Sequence, residues 1–521
     1  MNGSHEPGGH WRLWAAVAGA VAAGTGVIAS ELVAGFISPS LSTVTALGGA
    51  VIDAVPPGVK DWAVALFGTA DKLALLAGMA LTIAVIAAAA GVLELRRRFA
   101  GVAVFAVFGI VGLAAVLTRA QVTATAVVLP FLAAGIGIAV LLKLVRRLAA
   151  AGAGGAGEAG GTGEAPARRG FFQMLGGTAA GVLVGGAVVT RWRGGAAGVN
   201  EVRRALRLPV PQSPAPPIPA GADIGLAGVA PLVTPNPDFY RIDTALSVPV
   251  LDSREWRLKV TGLVERDVAL TFEDLVAKPL IERHVTIACV SNEVGGDLIG
   301  NARWLGWPVR ELLAMAGTKP EADMVLSRSS DGFTASTPLE VLTDRRDALL
   351  AVGMNGEPLP LEHGFPVRMI VPGLYGYVSA TKWLTELKVT RFADDVAYWT
   401  PRGWSERGPI KLSSRIDVPR NGASVPAGNV MFGGVAWAQH TGVGKVELRV
   451  DRGNWQPARL APGISVDTWY QWELGLDLQP GEHEVQVRAT DLKGTVQIEE
   501  RRSVAPDGAT GLHTIRVDVK T

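Results

Sequence analysis

Cysteine is all but absent: a single thiol, Cys289, serves 521 residues. That excludes internal disulfides, zinc-finger spacing, Cys-ligated iron–sulfur clusters and a C-x-x-C-H haem attachment. Histidine is scarce too, and none falls between His10 and His284, so helices in that stretch cannot ligate haem through imidazole. Charge is thin at 18% of residues, where soluble domains carry about 25%. With 49 Lys+Arg against 47 Asp+Glu the net charge is only +2, and no basic–aromatic stripe marks a nucleic-acid partner. What the chain has instead is apolar mass, with 49% hydrophobic residues and 64 glycines. Its mean hydropathy of +0.29 places part of it in lipid.

Four runs without a charge, 73–93, 99–118, 122–142 and 171–190, match the ~20 residues that a bilayer core requires. A fifth, 13–37, is interrupted only by Glu31. Two shorter patches, 41–52 and 62–70, are split by Asp53, Pro56, Pro57 and Lys60 and read as an interfacial or re-entrant loop. The pattern predicts a bundle of about five transmembrane helices over 1–195. Arg12, the Arg96/Arg97/Arg98 run, the Lys143/Arg146/Arg147 group and the Arg168/Arg169 pair gather on one side of such a bundle. That side is predicted to be cytoplasmic, with everything after about Arg191 outside. The Gly/Ala-rich stretch 149–167 reads as a flexible linker. The join Arg168-Arg169-Gly170-Phe171-Phe172 resembles a twin-arginine export signal, with ordinary positive-inside flanking as an equal reading.

The proline-rich stretch 208–219 predicts a stiff extended spacer within an extracytoplasmic linker, 196–221. Beyond it the composition turns globular. Strands are expected at 256–260, 285–290, 366–371 and 383–389. Short helices are expected after Thr271, with Asp274 in the first turn, and after Pro308. This mixture reads as an α+β domain over 222–408, in which the 285–290 strand delivers Cys289. From about Lys411 the pattern becomes alternation: Val446, Leu448 and Val450 against Glu447, Arg449 and Asp451, and Ile515, Val517 and Val519 against Arg516, Asp518 and Lys520. A β-sandwich of immunoglobulin type over 409–521 follows.

Alone, Cys289 is a buried small hydrophobe, a nucleophile or a metal thiolate. His284 lies five residues upstream, on the opposite face of the same strand, and makes a poor base for it. A cysteine-hydrolase reading would instead pair Cys289 with His363. The surrounding motifs decide. Met354-Asn-Gly-Glu-Pro-Leu-Pro-Leu-Glu-His363-Gly-Phe-Pro-Val-Arg368, then Ser379-Ala-Thr-Lys382-Trp383, and upstream Pro235-Asn236-Pro-Asp-Phe239-Tyr240-Arg241-Ile-Asp243, resemble the sulfite oxidase family of molybdenum enzymes. The resemblance runs over about 230–521 and takes in Gly434-Val-Ala-Trp437 and Arg488-Ala-Thr-Asp491, in the segment that matches that family's dimerisation domain.

The resemblance implies a Mo-molybdopterin cofactor with Cys289 as the thiolate on the metal. It implies Asn236, Tyr240, Arg241 and Asp331 against the pterin. His363, Arg368, Ala380, Thr381 and Lys382 would meet its phosphate and ring edge, and Arg241, Arg402 and Trp404 would stand near the reacting centre. The chain also departs from the pattern. The family's Cys-Ala-Gly-Asn-Arg-Arg stretch is here Cys289-Val-Ser-Asn292-Glu293-Val, without the two arginines, and Trp404 stands where the family has a tyrosine. Arg303 and Arg402 remain as candidate cations for a substrate. The expected substrate is therefore a small oxyanion or an S- or N-oxide, with either direction of oxygen transfer. Electrons would pass to a separate carrier, a cytochrome or the quinone pool. The expected setting is a bacterial cell membrane with the catalytic domain outside, and the resemblance implies a homodimer through the sandwich. A cofactor-free, membrane-anchored binding or adhesion protein is the alternative.

Overall fold

The computed structural model describes residues 9–37, 42–55, 66, 71–118, 124–153, 164–193, 196–245 and 248–521. The chain divides into two compact units, Met1–Gly198 with Ala245–Pro249, and Val199–Thr244 with Val250–Thr521.

The first unit is helical: α1 (Gly9–Ile37), α2 (Thr43–Ala54), α3 (Asp71–Arg96), α4 (Ala100–Leu117), α5 (Ala124–Ala153) and α6 (Glu164–Arg193). All but α2 are long and apolar enough to cross a membrane, as the charge-free runs predict. Close approach depends on glycine. A Cβ on Gly19 would collide with the Ala87 carbonyl, and one on Gly26 with that of Ala133, so α1 lies backbone to backbone against α3 and α5. The buried Glu94 carboxylate accepts from the backbone N–H groups of Phe99, Gly101 and Val102 at 2.9, 3.0 and 3.2 Å. It satisfies the start of α4, which explains an acid at that depth.

Two expectations change here. The patch 41–52 is a helix, with Ser42 as its N-cap accepting from the Thr45 N–H at 3.1 Å; the patch 62–70 lies, but for Leu66, outside the described residues. The stretch 149–167 is helical at both ends, through Ala153 and from Glu164, and its middle lies outside the described residues.

The second unit opens with residues of α7 (Ala196–Ala205) and the proline-rich stretch, which is no free spacer. Gln212 donates its N–H to Leu280 O at 2.8 Å, Glu282 donates to Ser213 O at 2.8 Å, and Ser213 bridges Ile281 in parallel. Arg203 on α7 pairs with Glu357 at 3.0 Å and donates to the carbonyls of Leu359 and Pro358. The strands of the α+β region are β1 (Arg257–Gly262), β2 (Val268–Thr271), β3 (Ile281–Ala288), β4 (Ile299–Pro308), β5 (Met324–Ser329), β6 (Thr334–Pro338), β7 (Leu349–Met354), β8 (Glu357–Pro358), β9 (Arg368–Ile370) and β10 (Leu384–Thr390). They form two sheets, β2-β1-β10-β5-β6 and β3-β4-β7-β8, with β9 on β7. Thr271 caps a short helix, Phe272–Val276, in a reciprocal capping box with Asp274, and Pro308 precedes the helix Val309–Ala316, both as expected.

After Ser413 the chain forms two sheets facing one core. One contains the strands Ser413–Val418, Gly428–Trp437, Tyr470–Leu478 and Arg459–Leu460; the other contains Ala423–Pro426, His513–Lys520, Gly481–Asp491, Val443–Val450 and Gln456–Pro457. Phe432 and Trp472 from the first meet Val446, Val487 and Val517 from the second, which is the alternation seen in the sequence turned into a core. This sandwich braces β3. Trp469 donates its backbone N–H to Thr286 Oγ1 at 2.8 Å, and the Thr286 N–H donates to Asp467 O at 2.9 Å.

Candidate active site

Cys289 follows directly on β3, whose last five residues are all buried. The chain then turns sharply: the Asn292 N–H donates to Cys289 O at 3.1 Å, and Asn292 Oδ1 accepts from Leu298 N at 2.8 Å. Gly295 holds the left-handed φ of +82°, and a Cβ there would run into the His513 ring of the sandwich. The turn is thus fixed from both domains. It leaves the Cys289 thiol buried in the wall of a cleft with about 880 Å³ of empty volume.

Of the residues that the sequence singles out, Tyr240, Cys289, Asp331, Arg368, Ala380, Lys382 and Trp404 line this cleft. Arg368 comes from β9 and is only 3% exposed. It donates to His363 O at 3.1 Å and Ala380 O at 3.4 Å, while its Nε is buried without a partner. Burial pulls its pKa down to about 10. Lys382 pairs with Asp243 at 3.1 Å and donates to Glu362 O at 2.9 Å; burial lowers its pKa to about 8 against the opposing pull of Asp243. Burial raises the Cys289 thiol, the Tyr240 phenol and the Asp331 carboxyl above their usual ranges.

The others stand behind or beside the cleft. Asn236 is committed to structure, donating to Glu357 at 2.5 Å and accepting from Asn355 Nδ2 at 2.8 Å. Its carbonyl meets His363 Nε2 at 3.0 Å. His363 is buried with Nδ1 unpartnered; burial, then Arg368 and Lys382, push its pKa down to about 3, so it is neutral. Thr381 bonds Ser327 Oγ at 2.7 Å. Arg241 is paired with Asp243 at 3.0 Å and is 40% exposed. Arg402 donates to Tyr398 O at 2.5 Å, with its guanidinium over the Tyr398 ring. Arg303 pairs with Glu282 at 3.2 Å, away from the cleft. The hydrolase pairing also lapses, because His363 is not a lining residue and bonds Asn236.

Sequence reasoning passed over Asp243, Phe333, Tyr377 and Trp399, which also line the cleft. Asp243 was readable as the acid that follows Tyr240-Arg241. Trp399 packs 6.2 Å from Trp404, and Tyr377 6.0 Å from it, centre to centre. Only the fold brings Tyr377 to that wall.

Residues 245–399 match the model of the oxidoreductase molybdopterin binding domain. The chain is 37% identical over 157 residues to the uncharacterized oxidoreductase YuiH of Bacillus subtilis, covering 30% of this chain and 76% of that one. It is 30% identical over 328 residues to sulfite oxidase of Gallus gallus, covering 53% and 69%. The chain belongs to the sulfite oxidase family of molybdopterin-dependent oxidoreductases. Human mitochondrial sulfite oxidase is 30% identical over 305 residues, covering 49% of this chain and 55% of that protein, so the chain spans about half the length of the mammalian relatives that it matches.

The residues present suit the family's Mo-molybdopterin. Two cations reach the cleft, and only Lys382 has a carboxylate; the buried Nε–H of Arg368 lacks a partner. A phosphate matches that excess of positive charge and that open donor. Among the described residues no group of three or more His, Cys, Asp or Glu is arranged to hold a metal ion. A single soft thiolate suits a metal whose other ligands arrive with the cofactor. A member of this oxidoreductase family with such a cleft is an enzyme, and the cofactor-free binding-protein reading falls.

Proposed function

We propose that this chain is a membrane-anchored oxidoreductase that transfers an oxygen atom to or from a small substrate at a molybdenum carried by Cys289, and exchanges electrons with a separate carrier. The observation that carries this reading is the convergence of Cys289, Arg368 and Lys382 on one cleft. The cofactor, when bound, supplies the two-electron redox change and the oxygen-atom exchange.

The chain's own residues hold and orient it. Cys289 binds the metal as a thiolate, and metal coordination offsets the rise that burial imposes on the thiol. Arg368 takes the pterin phosphate through its fork, and Lys382 adds a point charge that Asp243 keeps protonated. Neutral His363, with its proton on the Nε2 that faces the Asn236 carbonyl, ties that segment in place behind these cations. Tyr240 stays protonated and donates its hydroxyl. Asn236, Arg241 and Thr381 position these groups from behind, and Asp331 and Ala380 face the pterin. Phe333, Tyr377, Trp399 and Trp404 form the aromatic wall of the substrate space and exclude water from it. Arg402 packs on Tyr398, which abuts Trp399 of that wall.

An aromatic wall with both lining cations assigned to the cofactor favours a neutral S- or N-oxide, or its reduced partner, over the sulfite dianion. The one-sided arginines of the sequence support a catalytic unit on the extracytoplasmic face, and the reading includes Arg168-Arg169 as an export signal, a cytochrome or quinone as carrier and the sandwich as a homodimer contact. The test is molybdenum and pterin analysis of the detergent-purified chain. About one of each per chain supports the assignment, and neither, from cells competent to make the cofactor, overturns it.

A further inference from the structure

We infer that the helical unit binds a quinone-type ring in a cavity between α1, α2, α3, α4 and α5. The cavity has about 770 Å³ of empty volume and is largely apolar, with Val27, Leu47, Phe105 and Phe108 in its walls. Its polar groups are Ser30, Glu31 and Thr43. Glu31 is buried at 6% exposure and is the single charge in the run 13–37. An ionisable side chain at such a place marks a function more often than a fold requirement. The Val44 N–H donates to its carboxylate at 3.3 Å. Beside it the Thr43 hydroxyl is buried without a hydrogen-bond partner.

Room and access are built in. Gly109 and Gly112 thin the α4 wall, where a Cβ on Gly112 would press on Thr43 Cγ2 at 3.2 Å and Pro130 Cβ at 3.3 Å. Val111, also in the lining, is 47% exposed on the apolar surface, so the cavity opens towards lipid. An acyl chain would leave the Thr43 hydroxyl unmet, and a phospholipid headgroup would set an anion against Glu31. A ring with carbonyl or hydroxyl oxygens suits the site: it accepts from Thr43, can add a donor to Glu31 in its reduced form, and lays its face and tail against Phe105 and Phe108. The inference rests on the helical unit alone. It would give the electron carrier of the proposed function a docking place, and it concerns binding only.

The test is equilibrium binding of a decyl-tailed benzoquinone to the full chain in lipid nanodiscs, measured above empty discs, with molybdenum assayed in the same sample. About one quinone per chain is expected. Thr43→Val should weaken binding by about 5–10-fold, the loss of one hydrogen bond. Leu47→Trp, which fills the cavity, should abolish it, while Val184→Phe on the outer face of α6 leaves it unchanged. Binding no greater than in empty discs, wild-type affinity in both Thr43→Val and Leu47→Trp, or displacement by added phosphatidylglycerol overturns the inference. Loss of quinone binding with full molybdenum would leave the proposed function standing; quinone binding without molybdenum would do the reverse.

Discussion

The Arg368 guanidinium rests 5.2 Å from the centre of the Trp304 ring, and among the described residues no carboxylate pairs with it. A cation held by an indole face and two carbonyls is buried at a cost that an incoming anion offsets. Replacing Arg368 with Met should lower pterin content roughly 10- to 100-fold, the worth of one charge-assisted hydrogen bond or more. The cofactor-free protein should keep its thermal midpoint within about 2–4 °C. Wild-type pterin retention in Arg368→Met would remove the residue from the phosphate site.

Cys289→Ser separates chemistry from binding. The thiol's hydrogen bonding is with Ser291 alone, whose N–H it accepts at 3.4 Å, so the variant should fold and insert normally. Turnover should be lost while much of the pterin stays, held by Arg368, His363 and Lys382. Parallel assays of pterin and turnover check this, and undiminished turnover would refute the metal-thiolate role.

Asp243 is the buried counter-charge of Lys382, and both side chains are more than nine-tenths hidden. In Asp243→Asn the ammonium keeps the Glu362 carbonyl and the Trp383 ring but loses its carboxylate, a loss that typically costs about 3–5 kcal/mol. Chemical denaturation of the cofactor-free protein should read that drop. An unchanged midpoint would mean that Lys382 finds another anion.

Two buried histidines predict acid lability. His363 is held at a pKa of about 3 and His513 at about 4, each by burial and then a neighbouring arginine. The unfolded chain binds protons from about pH 6.5 downward, whereas the folded one refuses them, so stability is full above that point and falls as pH drops towards 4 and then 3. Thermal midpoints across pH 8 to 4 should decline, and His513→Gln should flatten the upper part of the slope.

Trp404→Ala should raise KM for a neutral S- or N-oxide about tenfold, by opening the wall shared with Trp399 and Tyr377, with a smaller effect on kcat. A change in kcat alone would place Trp404 outside the substrate contacts.

Much of this was legible in the chain itself. Long charge-free runs leave few structural options in lipid, and period-two alternation after Lys411 leaves few outside it. The motif around His363, Arg368 and Lys382 carried the cleft because those residues sit on adjoining elements. Legibility failed where a residue's neighbours come from afar. Asn236 and Thr381 belong to the right segments but face inward, and Arg402 is turned onto Tyr398 by the Thr400–Arg402 turn. The proline-rich stretch read as a spacer because prolines cannot donate. Gln212 and Ser213, between Pro211 and Pro214, still pair with the sheet. Helix α2 was announced by its Ser42 cap, a signal that the nearby prolines and charges obscured.

Glu357 answers to two masters. One oxygen takes Arg203, from the segment that follows the helical unit, and the other takes Asn236, whose carbonyl steadies His363. Cutting the chain at residue 222 to free a soluble enzyme would therefore strip a partner from the cofactor loop. It would also bare the edge of β3 beside Ile281, a ready template for aggregation. The catalytic body begins upstream of its prolines, and an excised version should keep everything from Val199 onward.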